Sequence, residues 1–215
     1  MKKTIITLII VVAVSIGGIW WWNYSNKNEN NQRAQNNTSN YQAERSSTNT
    51  NTNSNLNTTT VTKKETEIAS FSTKIHNKDK ERQNNIGITC RALSTKEIHP
   101  GEIFSFCDTV GKSTSDKGYQ EADIYVDGKK EQGLGGGNCQ VSTTLYNAVL
   151  QVPELEVLER HQHSGHVPYV EQGKDAAVAY GNYDFKFKNN TDNVIKIVME
   201  NTADNITAKL IKIEG

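Results

Sequence analysis

The sequence predicts an α+β protein: a single compact domain in which a cysteine-bearing helix packs on a mainly antiparallel sheet, preceded by a transmembrane helix and a disordered tether. Apolar residues recur at helical spacing between residues 137 and 152, and polar and apolar residues alternate along the C-terminal third. An apolar run and a polar, low-complexity stretch come before both. Helices in the first part of a domain and a sheet that runs to its end are typical of this class.

The chain begins with two lysines and an apolar run from Ile5 to Trp22, which is long enough to span a bilayer. The lysines favour a cytoplasmic N-terminus, and the tryptophans that end the run suit the interface on the far side. We expect residues 1–22 to be a transmembrane anchor or signal segment, with residues 4–22 in the membrane and the remaining chain in the cell wall space. A cleaved signal peptide is the alternative, although the cleavage pattern is poor.

Residues 23–68 form a linker that is rich in Asn, Thr and Ser. It has almost no aliphatic residues, so no apolar core offsets the entropy of ordering it, and we expect it to be disordered. Residues 69–215 have the size of a single domain. From residue 61 onward, 19 Lys and Arg stand against 22 Asp and Glu. This slightly acidic balance excludes a nucleic-acid partner, and the sequence identifies no protein partner.

The first part of the domain alternates between strands and a helix. The stretch "ASFSTKI" alternates like a strand, and "NNIGITCRALST" predicts a helix that is capped by Asn84 or Asn85 and stopped by Pro100. "GEIFSF" is strand-like, and "DIYVDGKK" predicts a hairpin that turns at Asp127 and Gly128. In the C-terminal third, "YDFKFK", "VIKIVMEN" and "ITAKLIKI" predict an antiparallel meander that serves as scaffold.

A cysteine lies at the predicted start of the central helix. Its buried stripe consists of Val141, Leu145, Ala148 and Val149. Asn138 is the predicted N-cap, and Cys139 falls in the first turn, away from this stripe. The helix dipole and the free N–H groups of the first turn favour a thiolate and can hold an oxyanion, with Gln140 as a further donor. Residues 135–137, all glycine, would let a substrate approach the backbone closely. A buried free cysteine behind a tight turn is the structural alternative.

Three of the five histidines lie in "RHQHSGH", directly after the strand-like "LEVLE". If the strand continues, His161 and His163 share its inward face, so either imidazole can meet the start of the helix. A cysteine at a helix N-terminus with a nearby histidine is typical of cysteine hydrolases and acyl transferases. Asp175 or Asp184 would orient the imidazole.

Two other uses of these residue types are open. Cys139, His161, His163 and His166 form a candidate tetrahedral zinc site, although their spacing is not a strong zinc signature. Alternatively, one histidine packs in the core and the others face solvent. A disulfide between Cys90 and Cys107 would suit an exported chain and would leave Cys139 free.

Several ordered blocks resemble the VanW-like family over about residues 69–213. They are "PGEIFSF", "DTVG", "KGYQEAD", "GGGNCQVSTTLYNAVL", "ERHQHSGHVPYV", "GKDAAVAYG" and "DFKFKNNTDNVIKI". The resemblance implies an exported or membrane-anchored protein of the Gram-positive cell envelope, in a family whose type member is an accessory protein of a vancomycin-resistance cluster. Two residues depart from the family pattern: Asn138 replaces an aliphatic residue, and Cys107 replaces an asparagine.

The resemblance also assigns residues to the family's motifs. Its central motif contains Gly135, Gly136, Gly137, Cys139, Gln140, Ser142 and Thr143, and its second block contains Arg160, His161, His163, Ser164 and Pro168. From these blocks we expect Ser142, Thr143 and Arg160, beside the glycines and Gln140, to bind substrate or an oxyanion. His166 falls where the family varies, which weakens the zinc interpretation.

The leading hypothesis is a cysteine-dependent hydrolase or acyl transferase that acts on peptidoglycan peptides and is accessory to the glycopeptide-antibiotic response. Cys139 would be the nucleophile, His161 or His163 the base, and Asp175 the orienting acid, with no cofactor and no metal. The alternative is a non-catalytic module that binds cell-wall peptides in the same cleft. A third hypothesis is a structural partner in an envelope complex.

Overall fold

The computed structural model describes residues 63–126 and 129–215. The predicted anchor, nearly all of the predicted linker and the predicted turn at Asp127 and Gly128 lie outside the described residues. In the described part, no helix is long and apolar enough to cross a membrane. That part combines a few helices with antiparallel sheets, which confirms the predicted α+β class.

The described residues contain twelve α-helices and β-strands. They are β1 (Lys64–Lys74), α1 (Lys80–Leu93), β2 (Glu97–Ile98), β3 (Ile103–Ser105), α2 (Phe106–Val110), β4 (Glu121–Val126), β5 (Lys129–Leu134), α3 (Asn138–Val149), β6 (Leu155–Glu159), β7 (Lys186–Asn189), β8 (Val194–Asn201) and β9 (Asn205–Glu214). A short 3-10 helix at Ser115–Lys117 precedes β4. The strand β1 starts before the predicted domain boundary at residue 69.

The larger sheet has the strand order β1-β9-β8-β2, and all its pairs are antiparallel. Alternate side chains of β8 and β9 are buried, as their sequence period of two requires. The inward residues are Ile195, Ile197, Met199, Ile206, Ala208 and Leu210. They provide one wall of the core, against which α3 packs through β1 and β9.

The predicted C-terminal meander is only half right, because β7 does not pair with β8. Instead, β7 lies between β3 and β6 in a second, three-stranded sheet. Asn189 ends β7, and its buried side-chain amide donates to the carbonyl oxygens of Ile98 and Asn193, both at 2.9 Å. These bonds satisfy two backbone carbonyl groups at the point where the chain passes from the three-stranded sheet to the four-stranded sheet. The alternation pattern predicts strands correctly but does not contain this change of partner.

The helix α1 begins earlier than predicted, with Asp79 as its N-cap. Asn85, one of the two predicted caps, lies inside the helix and is fully buried. Its side chain accepts the N–H of Gln120 at 2.9 Å and donates to the carbonyl oxygens of Gln120 at 2.8 Å and Gly136 at 3.3 Å. It therefore fastens the start of β4 and the loop before α3 to α1.

The strand-like "GEIFSF" is also shorter than predicted. β3 ends at Ser105, and Phe106 begins α2, because the Ser105 hydroxyl accepts the N–H of Asp108 at 3.0 Å and caps that helix. The predicted hairpin is present as the antiparallel pair β4 and β5.

Glu159, the last residue of β6, connects this strand to β7 and to two residues that flank the second sheet. Its carboxylate accepts from Lys186 Nζ at 2.8 Å, His161 Nε2 at 3.0 Å and the N–H of Asp184 at 3.1 Å. The side-chain bonds from Lys186 and His161 are the main reasons that the pKa of Glu159 is lowered from 4.5 to about 2. Because the folded state lowers this pKa, Glu159 stabilises the fold above the unfolded pKa of about 4.5.

We expect Glu159→Gln to lower the urea midpoint of unfolding at pH 7, and this deficit to shrink as the pH falls from 5 to 2. The wild-type protein loses the contribution of Glu159 over that interval, whereas the variant has none to lose. Urea titrations at several pH values measure the difference. The exposed Glu154, replaced by Gln, is the control and should change little. A deficit of equal size at pH 7 and pH 2 would contradict the assignment.

Candidate functional site

The start of α3 positions the candidate nucleophile. Gly137, with φ of 116°, is the N-cap, so the prediction of Asn138 as the cap is wrong. The side chain of Asn138 instead accepts from Thr89 Oγ1 at 2.7 Å and donates to Ser113 Oγ at 2.9 Å. Cys139 lies in the first turn as predicted, half-buried and away from the core stripe.

The three glycines before the helix are needed for packing within the chain. A Cβ on Gly136 would lie 2.6 Å from the carbonyl oxygen of Asp123 in β4, and one on Gly137 would lie 2.8 Å from Ile86 Cγ1 in α1. A Cβ on Gly135 would meet the side chain of Ser113. The groups that approach the backbone of these glycines closely are therefore other parts of this domain, whereas the sequence predicts a substrate there.

A cleft with a volume of about 360 Å³ opens at the start of α3. Its size lies within the range of small-ligand sites. Side chains from well-separated parts of the chain line it, among them Arg82, Cys107, Cys139, His163, Tyr169 and Val178. All three glycines line it together with Cys139, so a molecule held in the cleft would lie beside the thiol.

Within the cleft, Cys139, His163 and Asp175 form a connected series. His163 Nδ1 lies 2.6 Å from Asp175 Oδ2, and the same oxygen accepts the backbone N–H of His163 at 2.7 Å. The His163 side chain also interacts electrostatically with Cys139, and both side chains line the cleft. Because Nδ1 is held by the carboxylate, Nε2 is the nitrogen left to serve the thiol. In the thiol form, the Cys139 Sγ donates its single hydrogen to the carbonyl oxygen of Val178 at 3.5 Å.

The electrostatics of this series favour a protonated imidazole. Burial by itself would lower the pKa of His163, but the bonds and charges of Cys139 and Asp175 outweigh it and raise this pKa above 6.5. For Asp175, burial opposes ionisation, yet the bonds from His163 hold the pKa below its ordinary 3.8. A histidine that gains a proton next to a thiol is the arrangement that generates a thiolate.

Arg160 holds Asp175 in place and does not reach into the cleft lining. Its guanidinium donates to Asp175 Oδ1 at 2.9 Å, to the carbonyl oxygen of Asp175 at 2.5 Å and to that of Gly173 at 2.9 Å. It also lies over the ring of Tyr146, 5.5 Å from the centroid. This geometry gives Arg160 a positioning role, and its contact with substrate stays a prediction.

Ser142 and Thr143 have a similar role on the other side of the same segment. Both are fully buried in α3. The Ser142 hydroxyl donates to the carbonyl oxygen of Ala176, and Thr143 Oγ1 accepts the N–H of Ala176 at 2.9 Å. Their predicted role in binding substrate is not supported by this geometry, because both hydroxyls hold the residue next to Asp175.

Gln140 is also engaged within the protein. Its side-chain nitrogen donates to the carbonyl oxygen of Lys74 at 2.9 Å and to Thr73 Oγ1 at 3.2 Å, so this amide is not free to hold an oxyanion. Its backbone N–H donates to the carbonyl oxygen of Gly137 at 3.0 Å. The N–H of Cys139 has no acceptor in the described ranges, which makes it the first-turn donor available to a ligand.

Of the two predicted bases, the geometry selects His163. His161 Nε2 lies 3.0 Å from Glu159 Oε1, and its ring packs on Tyr183 with 4.7 Å between centroids. Asp184, the alternative orienting acid, accepts from Ser105 Oγ at 2.6 Å and from the N–H of Cys107 at 2.9 Å. Neither residue therefore joins the series in the cleft.

The zinc alternative does not form in the described part of the chain. His163 is bonded to Asp175, and His161 is turned to Glu159. His166 is exposed. Within residues 63–126 and 129–215, no group of three or more His, Cys, Asp or Glu side chains is placed to hold a metal ion.

The three cysteines are free, so the disulfide that the sequence left open between Cys90 and Cys107 is absent. Cys90 faces the core, and burial raises its pKa to about 12. Cys107 Sγ lies 3.4 Å from the carbonyl oxygen of Tyr183 instead, and burial followed by the charge of Asp184 raises its pKa to about 12. Cys107 lines the cleft, but both shifts make these thiols poor nucleophiles at neutral pH.

Two residues that line the cleft were missed by the sequence reasoning. Burial, and after it the charge of Cys139, raises the pKa of Tyr169, which also interacts with Thr143. The block "HVPYV" was the signal available for Tyr169. Arg82 lies on α1, far from Cys139 in the chain, and no local pattern indicates its place in the cleft.

Comparison with known proteins gives one family. The family profile described as "VanW like protein" matches residues 81–211. "Uncharacterized protein YoaR" of Bacillus subtilis (strain 168) is 40% identical over 131 residues, which cover 61% of this chain and 43% of that protein. "Vancomycin B-type resistance protein VanW" of Enterococcus faecalis (strain ATCC 700802 / V583) is 34% identical over 116 residues, which cover 50% and 41%.

The chain thus spans less than half the length of these two relatives. No solved structure matches it. The profile match covers more than half of the chain and includes Cys139, His163 and Asp175. On this match, the chain belongs to the VanW-like protein family.

Proposed function

We propose that this domain is a cysteine-dependent hydrolase or acyl transferase that acts on peptidoglycan peptides. The observation that carries the proposal is the series formed by Cys139, His163 and Asp175 in an open cleft. The thiol is at a helix start, an imidazole with a raised pKa interacts with it in the same cleft, and a buried carboxylate orients that imidazole. The nucleophile, the general base and the orienting acid that thiol chemistry requires are therefore all assigned, to Cys139, His163 and Asp175 respectively.

In the first step, the Cys139 thiolate attacks the carbonyl carbon of an amide. A C–S bond forms, and the carbonyl electron pair moves to oxygen, where the N–H of Cys139 donates to it. When the C=O bond re-forms, the C–N bond breaks, and the leaving amine takes the proton carried by His163. The product is a thioester on Cys139 and a neutral imidazole.

In the second step, water or an acceptor amine attacks the thioester carbon and gives its proton to His163. The C–S bond then breaks, so the Cys139 thiolate and the protonated His163 are restored. Water yields a carboxylic acid, and an amine yields a new amide. Asp175 keeps its negative charge throughout and stabilises the imidazolium in both steps.

Two observations support an envelope substrate. The name of the Enterococcus relative links that protein to vancomycin resistance. The apolar run between Ile5 and Trp22, as a membrane anchor, would place the domain in the cell wall space. We therefore propose a membrane-anchored protein that is accessory to the envelope or glycopeptide-antibiotic response.

The proposal is tested by incubating the full chain in detergent with peptidoglycan fragments and analysing both by mass spectrometry. We expect a peptide adduct on Cys139 and new peptide products with the wild-type protein, and neither with Cys139→Ser. Unchanged fragments and no adduct, together with binding that Cys139→Ala retains, would contradict catalysis and indicate the non-catalytic binding module. Cys90→Ser is the matched control and should leave adduct formation unchanged, since Cys90 is buried in the core.

A further inference from the structure

Arg82 brings a positive charge to the cleft beside the candidate nucleophile. It lies in α1 and lines the cleft that contains Cys139. Its terminal nitrogen donates to Gln140 Oε1 at 2.9 Å, and Gln140 directly follows Cys139 in the chain. The guanidinium is therefore fixed next to the first turn of α3.

This guanidinium forms no ion pair in the part of the chain that the structure describes, and it acts on Asp123 only through its charge. Its Nε is buried and has no acceptor; among the described residues it is the one buried side-chain nitrogen or oxygen in this condition. A buried donor without an acceptor is costly, and most such groups in native proteins find a partner. Because Nε is closed to solvent, an anion in the cleft would meet the terminal nitrogens, whose one side-chain acceptor among the described residues is Gln140 Oε1 and which therefore retain N–H groups for a ligand.

The other charged side chains of the cleft also favour the binding of an anion. Lys112 lines the cleft, is exposed and forms no ion pair within the described ranges. Asp123 also lines it, but its carboxylate is already paired with Lys130 at 2.7 Å and accepts from Gln132 at 2.6 Å and Asn77 at 3.0 Å. The unpaired charges of the cleft are therefore positive, which attracts anionic substrates.

We propose that Arg82 forms a carboxylate-binding subsite beside Cys139, so that the substrate class is peptides with a free carboxylate close to the acyl group that reacts. The planar guanidinium suits a carboxylate because it can donate two parallel hydrogen bonds. This inference rests on the proposed function for its chemistry. The recognition of charge at Arg82 can nevertheless be measured without a peptide substrate.

The test compares two small alkylating reagents of similar size on the full chain. Iodoacetate and iodoacetamide both form a C–S bond to Cys139 while the C–I bond breaks and iodide leaves, but only iodoacetate carries a carboxylate. The measured quantity is the ratio of the two rates at Cys139, with Cys90 and Cys107 followed separately by mass spectrometry. We expect Arg82→Gln to lower the iodoacetate to iodoacetamide ratio about tenfold.

Two variants serve as controls. Arg82→Lys keeps the charge but not the planar pair of donors, and it should give a ratio between those of the wild-type protein and Arg82→Gln. Arg91→Gln removes the same charge from an exposed position of the same helix that does not line the cleft, and it should leave the ratio unchanged. The charge of His163 acts on iodoacetate in every variant, so it does not account for a difference between them.

A second measurement needs no variant and so does not depend on the folding of Arg82→Gln. Acetate should slow the alkylation of wild-type Cys139 by iodoacetamide, and acetamide at the same concentration and ionic strength should not. An unchanged ratio in Arg82→Gln, or equal effects of acetate and acetamide, would overturn the subsite. Failure of the proposed function has a different signature: no adduct with peptidoglycan fragments, while the preference for iodoacetate persists.

Discussion

Replacing His163 by alanine is expected to slow the reaction of Cys139 with iodoacetamide about tenfold at pH 7. The thiolate is the reactive form, and in an ordinary thiol only a few per cent of molecules are ionised at that pH. His163 interacts with Cys139, and its pKa is raised above 6.5 despite its burial, so in the proposed mechanism it supplies a positive charge beside the thiol. Alanine removes that charge and the proton acceptor together.

His161→Ala is the matched control, because it deletes an identical side chain two residues away. His161 is bonded to Glu159 and packed on Tyr183, outside the series in the cleft. We expect its rate to equal that of the wild-type protein. Asp175→Asn should give an intermediate rate, since it weakens the orientation of His163 without removing the imidazole.

The measurement is the labelling rate of Cys139 between pH 6 and pH 8, resolved from the other cysteines by mass spectrometry of peptides. The wild-type rate should fall less steeply towards pH 6 than that of His163→Ala. Equal rates for these two proteins, or a loss confined to His161→Ala, would show that His163 does not activate the thiol. The proposed mechanism would then have no general base.

The sequence was sufficient to predict the helix that carries Cys139 and the residue types of the series. The apolar stripe of α3 is fully buried as predicted, and Cys139 lies in the first turn. The sequence could not distinguish His161 from His163, because a strand that continued through both would place them on the same face. β6 ends at Glu159, so the two histidines no longer share one face.

The roles of the polar residues around the series depend on contacts between distant parts of the chain. Ser142 and Thr143 were predicted to contact substrate from their position in the motif, yet their partner is Ala176. Gln140 likewise meets β1 through Lys74. Periodicity predicts which face of a helix is buried, but it does not predict which distant backbone group satisfies a buried hydroxyl.

The N-cap of α3 shows how backbone conformation overrides side-chain preference. Asn138 is a good capping residue by its chemistry, but Gly137 takes the cap position with φ of 116°. A left-handed residue there lets the chain turn into the helix while Ile86 of α1 packs against it. The same turn fixes the direction of Cys139, so the geometry of the site depends on a residue without a side chain.

Gly137→Ala is therefore expected to lower the free energy of unfolding by about 3 kcal/mol. The new Cβ would lie 2.8 Å from Cγ1 of the fully buried Ile86, and alanine is strained at a φ of 116°. Ile86 has no solvent-exposed space into which it can move, so α1 and α3 must separate slightly. Urea unfolding with linear extrapolation measures the change, provided that the slope is the same for both proteins.

Gly165→Ala provides the matched control, because nothing lies within 4 Å of the position that the new methyl group would take and the residue has no strained φ. We expect this variant to stay within about 0.5 kcal/mol of the wild-type protein. Equal stability of Gly137→Ala and Gly165→Ala would mean that the turn before α3 adapts to a side chain. Cys139 follows Gly137 closely in the chain. A turn that adapts in this way would not fix the position of the thiol relative to His163, so the turn could not be the source of the site geometry on which the catalytic proposal depends.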